Sequence, residues 1–283
     1  MKTSTLLLIA AGCTLFTACG NNATTTSKTS ATDSLKAVPM PAVVLAGVTT
    51  SPDYKDASIT VSAKAEKVGK DSAKVSFAFT VKNYELKMQT PDNTNKSCAN
   101  SKDGQHIHFI LDNKPYKALY EPKNDVTLPN DGKDHYLMAF LSRSYHESVK
   151  SPGAAVVYHF KIDEKGNLVK LDAPKTPMLF YSRPKGDYIG NDTMNLLLDY
   201  YVWNCQITKT GFKVKADIAN ENRPAQQLST TIDNWEPHFI NNLGTGKSKV
   251  TITLVDSAGK AVEGPMTNAT REINLSATEV PKS

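Results

Sequence analysis

Three observations predict an all-β fold made of two tandem sandwiches. Short runs alternate apolar and polar residues, turn chemistry separates these runs, and the second half of the chain nearly repeats the first. Alternation marks residues 73–80 (AKVSFAFT), 105–111, 135–141, 212–218 and 250–254, the period-two pattern of strands with one buried face. Between them stand Asp112-Asn113-Lys114-Pro115, Pro129-Asn130-Asp131-Gly132, Gly244-Thr245-Gly246 and Ser257-Ala258-Gly259, whose residue types favour turns. No stretch of a dozen residues carries a helical period.

In chain order, residues 1–18 read as a signal peptide: Lys2, an apolar run over 5–17, then the small pair Thr17-Ala18. The apolar run falls short of the roughly 20 residues that span a bilayer. Phe16-Thr17-Ala18-Cys19 resembles a bacterial lipoprotein signal. That resemblance implies lipidation of Cys19, with two or more acyl chains such as palmitate as the anchor. Residues 19–40, rich in Thr, Ser, Ala and Lys, read as a polar tether without enough apolar surface to fold.

The repeat sets the next two elements, a first sandwich over 41–172 and a second over 173–283. Tyr120-Glu121-Pro122 matches Trp235-Glu236-Pro237 at an offset of 115, Gly132-Lys133 matches Gly246-Lys247 at 114, and Phe160 and Ile162 match Ile273 and Leu275 at 113. Loops differing by one residue between two copies would give this drift. Each copy is near the size of an immunoglobulin-like domain, and Asp172-Ala173-Pro174-Lys175-Thr176-Pro177 marks the junction. The alignment also assigns faces. Val214, Ala216, Ile218, Val250, Ile252 and Leu254 point inward in the second copy, and Gln105, Ile107, Phe109, Leu111, Tyr136, Met138 and Phe140 take those places in the first. The outward residues are then Lys213, Lys215 and Lys249, matched by His106, His108 and His135.

Composition narrows the function. The chain has 283 residues, 33 Lys+Arg, 28 Asp+Glu and a net charge of +5. The basic residues are scattered, without the concentrated stripe of a nucleic-acid binder. Enzyme signatures are missing too. Gly244-Thr245-Gly246-Lys247-Ser248 lacks the first glycine of a phosphate-binding loop, because Asn241 stands there. No G-x-S-x-G elbow is present. The chain is expected not to be an enzyme.

Two clusters remain as candidate sites. His106 and His108, at i and i+2 on a strand, share a face, and with His135 they would form a three-imidazole site suited to copper or zinc. The alternatives are a solvated polar face and an anion-contacting strip, since the second copy carries Lys at all three places. Ser142, Arg143, Ser144, Tyr145 and His146 leave a strand for a loop whose counterpart is the plain turn Asp256-Ser257-Ala258-Gly259. Arg143 offers a fork for carboxylate or phosphate, with hydroxyl donors beside it. Cys98 and Cys205, the cysteines left after processing, are either two thiols or an interdomain disulfide of an exported protein.

Asn83-Tyr84-Glu85-Leu86, Cys98-Ala99-Asn100-Ser101, Gly104-Gln105-His106-Ile107-His108, Pro115-Tyr116, residues 139–150 (AFLSRSYHESVK) and residues 180–190 (FYSRPKGDYIG) resemble a family of exported Bacteroidota lipoproteins. Members of that family carry the label phosphopeptide-binding protein. The resemblance implies a lipid-anchored protein of the cell envelope, at the outer membrane; the extra polar loop and the basic strip lead to the expectation that it binds an anionic group or peptide through Arg143, Ser142, Ser144, Tyr145 and His146. The other expectations are a copper- or zinc-binding envelope protein and a structural component that docks to an envelope partner.

Overall fold

The computed structural model describes residues 40–278. The signal peptide, Cys19 and all but the last residue of the tether lie outside them. Seventeen strands and three short 3₁₀ turns make up the described part. The first half supplies β1 (Val44–Gly47), β2 (Ser58–Lys67), β3 (Ser72–Lys82), β4 (His106–Leu111), β5 (Lys117–Leu119), β6 (Lys123–Pro129), β7 (Asp134–Ser142), β8 (Ala155–Ile162) and β9 (Leu168–Lys170). The second half adds β10 (Met178–Arg183), β11 (Gly186–Ile189), β12 (Asn195–Trp203), β13 (Lys213–Asn220), β14 (Leu228–Ile232), β15 (His238–Asn241), β16 (Gly246–Val255) and β17 (Asn268–Ser276).

The sheet orders bear out two copies of one sandwich. In the first copy β2-β3-β6 faces β5-β4-β7-β8-β9, and in the second β10-β12-β15-β1 faces β14-β13-β16-β17-β11. Removing the additions β1, β9 and β11 leaves three strands facing four in both, with the same connections. This is an immunoglobulin-like arrangement. Strand β1 corrects one expected boundary: residues 44–47 pair with β15 and so belong to the second sandwich, not the first.

Each sandwich encloses its own core. Phe77, Ile107, Phe109, Leu137, Ala139, Leu141 and Phe160 fill the first. Leu198, Tyr200, Val214, Ile252 and Leu254 fill the second. A third apolar cluster lies between the sandwiches, where Ile110, Met138, Phe140 and Val157 meet Met178, Phe180 and Tyr201.

That third cluster overturns part of the face assignment. Val214 pairs with Leu254 and Ile218 with Val250; Ile107 pairs with Leu141 and Leu111 with Leu137. The offset along this strand is therefore 113, where the glycine match suggested 114, and a slip of one residue moves every side chain to the opposite face. Tyr136, Met138 and Phe140 do not point into the first core. They share a face with His106, His108 and Ile110. In the second copy the matching face carries Lys213, Lys215 and Lys249 and meets water; in the first it is covered by β10 and β12, so β4 is buried along its whole length.

Candidate metal centre

Buried between the sandwiches, the face of β4 and β7 turns from apolar to polar toward the His106 end. His106, His108 and His146 meet there, all buried. Nε2 of His106 lies 2.9 Å from Nε2 of His108 and 3.1 Å from Nδ1 of His146. The three donor atoms fall within 4.8 Å of one another.

Local structure fixes each ring. Gly104 precedes β4 at φ +82°, and a Cβ there would sit 2.4 Å from the Lys87 carbonyl oxygen, so only glycine fits. Its own carbonyl lies 2.8 Å from Nδ1 of His106. A carbonyl only accepts, so Nδ1 carries the proton and Nε2 turns its lone pair toward the other two histidines. Nδ1 of His108 lies 2.9 Å from the hydroxyl of Ser182, which belongs to the second sandwich. A register shift between Tyr181 and Arg183 sets this point of β10 apart, the kind of irregularity that re-aims side chains. The Tyr116 ring stacks on His108 at 3.7 Å and 9°.

His146 arrives from the loop after β7 with φ +70°, a left-handed conformation that is uncommon outside glycine. The loop is held on several sides. The Ser144 amide donates to Oγ1 of Thr90 (2.9 Å), the Ser101 amide to the Ser144 carbonyl (2.8 Å), and the Tyr145 hydroxyl to Asp92 (3.0 Å). The Tyr116 hydroxyl reaches Nδ1 of His146 at 3.2 Å.

Burial makes this a cluster of neutral imidazoles. Desolvation lowers the pKa of His106 to about 4 and drives those of His108 and His146 well below 6.5, and the positive charges of Arg183 and Lys185 push the same way. Neutral imidazole is the metal-ligating form. A partner at the second ring nitrogen, a carbonyl that accepts from His106 and a hydroxyl that can accept from or donate to His108, is the usual support of a ligating histidine. The gap beside His146, bordered by Tyr145, Arg183 and Tyr188, does not admit a water molecule.

His135 is not part of this site. It sits at the far end of β7, on the face that packs into the first core. Its Nδ1 lies 2.7 Å from Asp112 and its ring lies 5.3 Å from that of Phe160. From sequence His146 is assigned to an anion-binding loop and not to the histidine cluster, because it lies beyond the end of β7, where no strand period ties it to the face of His106 and His108. The positive φ that brings it back has no sequence signal as strong as glycine.

The expected anion site at residues 142–146 is likewise corrected. Arg143 is buried, and its guanidinium donates to the Ser148 carbonyl (2.9 Å) and the Pro52 carbonyl (2.6 Å) and pairs with Glu147 at 3.1 Å. Glu147 also accepts from Ser51 at 2.7 Å. Ser142 and Ser144 are fully buried, with partners inside the chain. The fork is spent on closing the loop, because a buried guanidinium must satisfy its donors internally. Cys98 and Cys205 are both free thiols, the first of the two alternatives the sequence left open. Cys98 lies in the loop before β4 beside Asp192, and Cys205 follows β12.

No protein-family model matches the chain, and no curated protein matches it either. Among solved structures, fibronectin(III)-like modules of Clostridium thermocellum CbhA align over 77% of this chain and 95% of theirs, at 11% identity and a TM-score of 0.25. The two tandem V-type regions of the chitin-binding protein VCBP3 align over 77% and 99%, at 8% identity and a TM-score of 0.24. The fold assignment rests on the strand order of the chain itself.

Proposed function

We propose that the chain is a transition-metal-binding protein of the cell envelope, with His106, His108 and His146 as ligands for copper or zinc. The convergence of three neutral imidazole nitrogens carries this reading. Metal–nitrogen bonds of about 2.0–2.1 Å place neighbouring ligand atoms about 2.9–3.4 Å apart, depending on geometry. The spacings of 2.9 and 3.1 Å around Nε2 of His106 match the lower end. That nitrogen offers one lone pair to two neighbours, and a bound cation would resolve the oversubscription. Closure of the site favours metal retention over catalysis, since catalytic metals keep an open position. Envelope attachment through a lipid on Cys19 belongs to the same proposal and rests on the signal sequence.

Elemental analysis of protein purified without a His tag tests the metal reading. About one copper or zinc per chain is expected, retained in His135→Ala and lost in His108→Ala and His146→Ala. Metal-free wild type after exposure to both ions, or loss in His135→Ala, would overturn it. Palmitate labelling that persists in Cys19→Ser would overturn the anchor.

A further inference from the structure

The described chain begins at one particular end of the second sandwich. Strand register brings that end together. Val44 pairs with Asn241, which pairs in turn with Asn195. Gly246 pairs with Leu275, and the next residue, Ser276, pairs with Ile189. The entering segment is fastened there: Nη2 of Arg223 donates to the Pro41 carbonyl at 2.6 Å, and the Asn242 amide donates to the Ala42 carbonyl at 3.0 Å. Met40 lines one groove with Met194, Leu243 and Gly244.

Large apolar side chains gather at the same end. Among the described residues six are exposed, and four of them stand here: Met40 (53%), Val44 (43%), Ile189 (42%) and Met194 (64%). The other two, Val68 and Met88, belong to the first sandwich. Exposed apolar residues scattered singly are ordinary, whereas a group of them with a polar rim marks an interaction surface. Thr193, Asn242 and Thr245 form the rim. Asp187 and Asp192 flank it on the segment that carries Ile189 and Met194, and the cation nearest Met40, Arg223, is spent on backbone carbonyls. Such a surface does not fit an anionic partner.

Resting on the lipid anchor at Cys19, we propose that this end of the second sandwich docks on the bilayer, with Met40, Val44, Ile189 and Met194 in the headgroup layer of zwitterionic lipid. The place where the chain enters favours lipid over a second copy. Residues 19–39, 21 in number, reach at most about 70–75 Å. A lipidated Cys19 therefore keeps Met40 within that distance of the membrane. Docking is then intramolecular, and a few apolar side chains too weak to hold a free protein suffice. A second copy has to be met by diffusion.

Methionine oxidation tests the proposal in the native chain. Protein purified with its lipid is reconstituted on phosphatidylcholine–phosphatidylethanolamine vesicles and treated with chloramine T; the same chain without lipid, free in solution, is the reference. Peptide mass spectrometry reads each methionine. Met40 and Met194 should oxidise at least about fivefold more slowly on vesicles than in the reference, because oxidation follows exposure. Met88, exposed to 48% on the first sandwich, should oxidise equally in both. Met194→Glu, an exposed substitution, should return Met40 to the reference rate on vesicles. Equal rates at Met40 and Met194 on vesicles and in solution, with the protein retained on the vesicles, would overturn the docking and leave the anchor standing. Protection in the vesicle-free reference that grows with protein concentration would assign this end to a second copy and overturn the docking too. A chain that carries no acyl group would overturn the anchor and the docking with it.

Discussion

Nδ1 of His108, on the first sandwich, lies 2.9 Å from the hydroxyl of Ser182 on the second. One copy of the module thus orients a ligand presented by the other, and the site depends on the two being packed together. Serine can accept from Nδ1–H or donate to its lone pair, so it serves both the metal-free and the metal-bound tautomer of His108. Outer partners of ligating histidines carry about 10–100-fold in metal affinity. Ser182→Ala should weaken binding by about that factor in a competitive chelator titration, with stoichiometry unchanged. Unaltered affinity would remove Ser182 from the site.

The interface between the copies makes a paired comparison possible. Phe140 is fully buried in the central cluster, whereas its counterpart Thr253, at the offset of 113, lies on the outer face of the second copy. Phe140→Ala should cost about 3–5 kcal/mol, and Thr253→Ala within about 0.5 kcal/mol. Urea unfolding of the two variants measures the difference; equal losses would mean that the central cluster is not a core.

The buried ion pair of Arg143 and Glu147 acts in the closure of the loop that carries His146. Burial raises the Glu147 pKa, and Arg143 opposes that shift. Removing only the cation leaves an uncompensated carboxylate, which costs about 3–5 kcal/mol. Arg143→Met alone should therefore destabilise strongly, and Arg143→Met with Glu147→Leu should recover much of the loss. Equal unfolding midpoints for the single and double variants would contradict the pairing.

Acid should weaken the metal-free protein through the same three histidines. Their folded pKa values lie below the ordinary 6.5, to about 4 for His106. Between those limits the unfolded chain binds more protons than the folded one, so stability falls as pH drops below about 6.5. Unfolding midpoints at pH 7.5, 6 and 5 should fall more steeply for wild type than for a variant with glutamine at all three positions. Parallel slopes would show that these imidazoles are not held neutral.

With both thiols free, alkylation of denatured mature protein should label Cys98 and Cys205 equally with and without prior reduction. Mass spectrometry reads the count, and labelling that requires reduction would restore the disulfide.

Much of the fold was legible in the sequence because its signals are local. Alternation around Val214 and Val250 gave strands and faces correctly, since that sheet has one dry side and one wet side. The first copy hid its register. With β4 and β7 buried on both faces, Met138 and Leu137 are equally apolar, and nothing in the pattern says which of them faces the first core. A glycine match one residue out of step then reversed the assignment. The same slip placed His135 beside His106. Membership of His106 and His108 in one cluster followed from their spacing alone and survived. Finding His146 required the loop's closure by Arg143, Thr90 and Asp92, contacts spread over more than fifty residues of sequence. Coverage of the site by Ser182 and Arg183 depended on how one copy packs on the other, which periodicity does not encode.

Anomalous diffraction from crystals of untagged protein loaded with Cu(II) tests the central claim most directly. One strong peak is expected among Nε2 of His106, Nε2 of His108 and Nδ1 of His146, about 2.0–2.1 Å from each. A peak at the surface imidazole of His159 or beside His135, with none between the three buried rings, would contradict it.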